Sequence, residues 1–152
     1  MALAKTVRTF AELVQLLETT HTAHRANPAQ QTVDLATPDL PGPTHVRWEM
    51  KLPLVQLIQP IVVGVPAPRV RDVEIAVLRL NNAILFPGLA FDHVSRSAYF
   101  RITAVVLLDG IRLDLLQAYF QGVVMNAREL RGPLVKVVEG LAGDAVLGAQ
   151  AS

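Results

Sequence analysis

Between residues 45 and 52 the chain alternates without a break. Val46, Trp48, Met50 and Leu52 are apolar, and His45, Arg47, Glu49 and Lys51 between them are polar or charged. A period of two puts successive side chains on opposite sides of a pleated strand. The pattern therefore predicts a strand with one face on a core and the other in water. A sheet that is wet on one side is antiparallel far more often than parallel, because parallel sheets are covered on both faces.

The other segments fit round such a sheet. Val7, Phe10, Val14 and Leu17 recur at three and four residues, and Leu13 widens the stripe. This predicts a helix over 10–24, opened by Thr9 and Glu12 at capping-box spacing. Asn27-Pro28 breaks the chain after it, and 24–31 reads as a polar connection. A short strand is expected over 32–36, with Val33 and Leu35 facing one way. The run Thr37-Pro38-Asp39-Leu40-Pro41-Gly42-Pro43 must be loop, since prolines do not sit in a central strand. The β-branched run 61–65 predicts the next strand, ended by Pro66 and Pro68.

A second helix is expected over 69–82 from Val70, Val73, Val77, Leu80 and Ile84. Ile75 and Leu78 are apolar off that stripe and suggest cover on a second side. Phe86-Pro87-Gly88 is a turn. Residues 89–93 and 98–107 read as a hairpin around Val94-Ser95-Arg96-Ser97. A last helix is expected over 112–130, with Leu113, Leu116, Phe120, Val123, Val124 and Ala127 on its apolar face. Gly132-Pro133 should kink or break it, because proline lacks the N–H and clashes with the preceding turn. The reading is one α+β domain over 1–140, with a flexible tail over 141–152. It has an antiparallel sheet of about five strands and three helices in the order α-β-β-β-α-β-β-α.

Composition excludes some functions. The chain has 152 residues and no cysteine, so disulfide, thiol and cysteine–metal chemistry are absent. A cysteine-free chain without an apolar leader in its first ten residues is expected in the cytoplasm. The longest apolar runs are about strand length, so no membrane partner is expected. A formal net charge of +1 gives no broad field for nucleic acid. Hydrophobic residues make up 51%. That much apolar surface suggests an exposed interaction patch.

Candidate chemistry is sparse. His21 and His24, three apart, could offer two imidazoles to a metal, but no third ligand accompanies them, and no metal or other cofactor is expected. His45 and Glu49 on one strand face more simply keep that face soluble. Asp92, His93 and Ser95 name a triad, but neighbours on a strand point to opposite faces. Arg69, Arg71 and Arg79 make the second helix basic, yet Asp72 and Glu74 interleave with them, and no nucleic-acid partner is expected. Leu115, Tyr119 and Val135 lie outside the main stripe of the charge-poor last helix. They are the candidates for a protein interface. The alternative is a small-molecule or enzymatic domain with an apolar cavity lined by Trp48, Met50, Phe91 and Phe100.

From Val77-Leu78-Arg79-Leu80-Asn81-Asn82 through Leu85-Phe86-Pro87-Gly88, Phe91-Asp92, Tyr99-Phe100-Arg101 and Asp109-Gly110 to the proline-interrupted helix, the chain resembles the YbjN-like family. That family groups bacterial proteins regarded as sensory-transduction regulators, with the fold of class I type III secretion chaperones. The resemblance covers somewhat under half the chain. The proline-rich insert at 37–43 and the 24–31 connection depart from it. It implies a non-enzymatic, chaperone-like or regulatory adaptor, often a homodimer, that binds a protein segment. It carries over no catalytic or cofactor residue.

Overall fold

The computed structural model describes residues 5–49, 51–85 and 88–150. Met50, Phe86 and Pro87, and with them the turn expected at 86–88, lie outside the described residues. The fold is α+β. Among the described residues, eight strands and three α-helices run in the order β1 (Thr6–Val7), α1 (Phe10–Thr19), β2 (His24–Asn27), β3 (Thr32–Leu35), β4 (Thr44–Trp48), β5 (Leu54–Val62), α2 (Val70–Ala83), β6 (Leu89–Asp92), β7 (Ser97–Val105), β8 (Ile111–Arg112) and α3 (Leu113–Glu139). Short 3-10 turns precede α2 and follow α3. Six strands form one antiparallel sheet in the order β2-β3-β4-β5-β7-β6, and β1 pairs with β8.

The sheet holds one strand more than the expected five. His24–Asn27, read as a connection, pairs with β3 through His24 opposite Leu35 and Asn27 opposite Thr32. Its polar side chains hid it, because an edge strand of four residues buries little. Helix α1 is correspondingly shorter than expected. The Thr19 and Thr20 hydroxyls turn back onto the Gln15 and Leu16 carbonyls, and His21 takes a positive φ of 52°. At the other end of α1, Thr9 Oγ accepts from the Glu12 amide, while Glu12 reaches the Arg8 amide. The capping box thus closes one residue earlier than its usual form.

The strand from residue 45 ends at Trp48, where the chain turns at 51–53 and leaves Leu52 exposed. The next strand begins at Leu54 rather than Ile61 and runs through Pro60. Proline is tolerated there because β4 pairs with β5 only as far as Ile58. On the other side the register with β7 shifts between Pro60 and Val62.

One face of the sheet carries Val46, Leu57, Leu89 and Phe100, all buried beneath the helices. Helix α3 lies along β5 and β7, and α2 packs against α3 and β6. On the opposite face Arg47, Arg101 and Thr103 meet water. Ile75 is half-buried but Leu78 is 66% exposed, so the second covered side expected of α2 extends only part of the way.

Helix α3 runs unbroken from Leu113 to Glu139 with Pro133 inside it. Pro133 and Leu134 are buried. Packing along the core face holds the helix through the hydrogen bond that proline forfeits. The segment expected as a tail forms a 3-10 helix at Gly143–Gln150 against α2 and α3. Val146 is fully buried there.

A buried polar cluster fixes the proline-rich loop. Gln59, 0% exposed, accepts from the Thr44 hydroxyl at 2.5 Å and the Thr37 hydroxyl at 3.0 Å. Its amide donates to the Gly42 and Pro60 carbonyls, each at 3.0 Å. Every polar atom of the side chain is satisfied, as burial of an amide requires.

Candidate functional site

Most of the titratable clusters named above are taken up by structural contacts or are not brought together. His21 stands in the turn after α1 and His24 on β2, so they share no helix face. His45 Nδ1 donates to Asp34 Oδ1 across β4 and β3 at 2.6 Å, and Arg47 pairs with Glu49 at 3.3 Å. Asp92 accepts the Ser95 hydroxyl at 2.6 Å and the Val94 and Ser95 amides at 3.1 Å, which pins the hairpin turn. Those bonds, the Ser95 hydroxyl first, hold the Asp92 carboxyl below its ordinary range. His93 points away from them, 2.9 Å from Glu74 of α2 and edge-on to Phe91. The three residues do not assemble a triad.

Arg69 bonds the Val137 and Leu141 carbonyls and pairs with Asp72 at 2.8 Å. It caps the C-terminus of α3, where a cation opposes the negative end of the helix dipole. Arg71 and Arg79 remain exposed on α2.

The interface candidates divide. Leu115 is 43% exposed, and Tyr119, one turn on, is half-buried against the core. Val135 follows Tyr119 by sixteen residues. That is about 24 Å along the axis and roughly 160° round it. It packs on the core from the other side. The helix instead aligns Leu115 with Ala118, Gly122 and Met125, at spacings of three, four and three. Ala118 is exposed, Gly122 is half-buried and Met125 is 58% exposed. The heptad-like spacing was legible in the sequence. It was masked by the longer core stripe and by the small residues at its centre.

Opposite that stripe lies an open cleft of about 540 Å³. Leu13, Leu16 and Leu17 of α1 form one wall. Leu35, Val46 and Leu57 of the sheet form the floor, and Leu113, Leu116 and Phe120 of α3 form the other wall. Thr20, Thr22, Gln117 and Gln121 stand at the rim. No lining side chain is ionisable. The apolar cavity expected around Trp48, Met50, Phe91 and Phe100 is therefore placed elsewhere. Trp48 and Phe100 are core, Phe91 sits at the β6 edge, and Met50 is outside the described residues. Leucines of α1 read as ordinary core in the sequence, and only the gap between α1 and α3 turns them into a lining.

No protein-family model matches the chain, and no curated protein matches it by sequence. Among solved structures it is similar to the crystal structure of YbjN from E. coli, described as a candidate transcription regulator. The TM-score is 0.54 at 14% identity, over 97% of this chain and 96% of that one. The chain has the YbjN fold. The likeness spans nearly the full length, whereas the sequence resemblance covers somewhat under half of it. At that identity it is a likeness of fold. In this chain the YbjN fold presents two features that could bind a partner, the α3 stripe and the α1–α3 cleft, on opposite flanks of one helix. No helix among the described residues is long and apolar enough to cross a membrane.

Proposed function

We propose that the chain is a non-enzymatic regulatory or adaptor module of the cytoplasm that works by binding protein. Its contact surface is the outward stripe of α3, and its first partner is a second copy of itself. The observation that carries this is the run Leu115, Ala118, Gly122 and Met125 at helix–helix spacing, exposed at Leu115, Ala118 and Met125 and half-buried at Gly122. Two large apolar residues flank two small ones, so a second helix can approach closely at the centre. In an antiparallel pair of α3 helices, Leu115 of one copy faces Met125 of the other and Ala118 faces Gly122. Asp114 of one copy then lies near Arg128 of the other, a favourable charge pairing repeated by the two-fold axis. The fold shared with YbjN, described as a candidate regulator, supports a regulatory role.

Light scattering on the eluted protein tests this reading. A mass near twice 16.5 kDa is expected. Met125→Glu should give the monomer with an unchanged circular dichroism spectrum. A wild-type monomer at high concentration, or a dimer indifferent to Met125→Glu, overturns it.

A further inference from the structure

The cleft between α1 and the first turns of α3 has a chemistry that the stripe on the far flank does not use. We propose that it binds an uncharged amphiphile: an aliphatic chain ending in a hydroxyl, ester or amide. At about 540 Å³ it falls in the range of small-molecule sites. Its floor and walls are entirely aliphatic apart from Phe120, so the buried part of the ligand is hydrocarbon. The rim decides the head group. Gln117 and Gln121, four residues apart on α3, present two carboxamides side by side, and neither has a hydrogen-bond partner among the described residues. Thr22 adds a hydroxyl, held 2.9 Å from that of Thr20. These groups both donate and accept, and none is charged. A carboxylate or ammonium head would be partly desolvated with no counter-charge on the lining. The site therefore selects for neutrality. With the proposed self-association on the opposite flank of the same helix, the module would carry a ligand and a protein partner on separate surfaces.

Displacement of the neutral dye N-phenylnaphthylamine from the full chain tests the site. The dye should brighten at one molecule per chain. Decanol and decanamide should displace it, and decanoate and decyltrimethylammonium should do so at least about tenfold less well, since a charged head gives up part of its hydration at a rim that offers no counter-charge. Ala36 and Ala23 are exposed rim residues, so Ala36→Trp or Ala23→Trp blocks the entrance without touching the core. Either should abolish dye binding while thermal unfolding stays unchanged. Gln121→Arg should reverse the preference toward decanoate. Absence of saturable dye binding overturns the proposal, as does equal displacement by neutral and charged chains. So does an Ala36→Trp variant that still binds dye. If Ala36→Trp instead breaks self-association, the cleft is a protein contact and the proposal fails. Met125→Glu separates the two ideas: it should leave dye binding intact whatever it does to the dimer.

Discussion

Replacing Gln59 with leucine keeps the volume of the side chain and removes all of its hydrogen bonds. Thr37 retains the Gly42 carbonyl as an acceptor at 3.0 Å, so that pair survives. The Thr44 hydroxyl, 0% exposed, loses its acceptor, and the Pro60 carbonyl loses the Gln59 amide. Each stranded group, the Thr44 hydroxyl fully buried and the Pro60 carbonyl partly so, costs about 1–3 kcal/mol. The better solvation of leucine in an apolar interior offsets part of this. A net loss of about 2–4 kcal/mol follows, a large share of the 5–15 kcal/mol typical of a domain. Urea unfolding followed by circular dichroism should show the midpoint falling by roughly 1–2 M at a slope near 2 kcal/mol/M. Thr44→Val in the same chain should restore part of the loss, because removing both partners of a buried bond costs less than removing one. A Gln59→Leu variant within about 0.5 kcal/mol of wild type refutes the reasoning, as would strict additivity with Thr44→Val.

Three further outcomes follow from the same structure. Asn81 of α2 bonds both backbone groups of Leu89 at the outer edge of β6, at 2.6 and 3.0 Å, in the manner of a neighbouring strand; Asn81→Ala should cost about 1–3 kcal/mol and raise the tendency to aggregate on heating, read by light scattering. Val146→Ala should cost about 1–3 kcal/mol in urea unfolding if the segment after α3 belongs to the core, and nothing measurable if it does not. The folded Asp92 carboxyl titrates below the ordinary aspartate value of 3.8, so its bonds stabilise the hairpin fully above that value and release it as pH falls through the lower folded one. The Ser95 amide resonance should therefore hold steady from neutral pH to about 5 and move only below the ordinary aspartate range, and Asp92→Asn should abolish that movement.

Much of the architecture was legible because it rests on local periodicity. The alternation from His45, the three/four stripes of the helices and the Asp92 turn each depend on neighbours a few residues away. The resemblance to the YbjN-like family drew on the same turns and apolar positions. What escaped depends on partners distant in sequence. Strand β2 exists because β3 is available to pair with it, and its own side chains say little. Pro60 stands inside a strand because β4 stops short of it. Pro133 stays inside a helix because the core on one side of α3 holds both halves in line. The tail is seated because Val146 finds a hole between α2 and α3.

The candidate surfaces divide in the same way. Leu115 is apolar, off the stripe and exposed, whereas Tyr119 and Val135, chosen by the same rule, pack on the core. The cleft has no signature in the sequence, since a leucine that lines a gap and a leucine that fills a core carry the same label. By itself the sequence determined which faces are apolar, and hence the elements and the class of the fold. Only the tertiary structure decided which apolar faces are covered. Burial is a property of two surfaces brought together, and the second lies far along the chain or on another molecule.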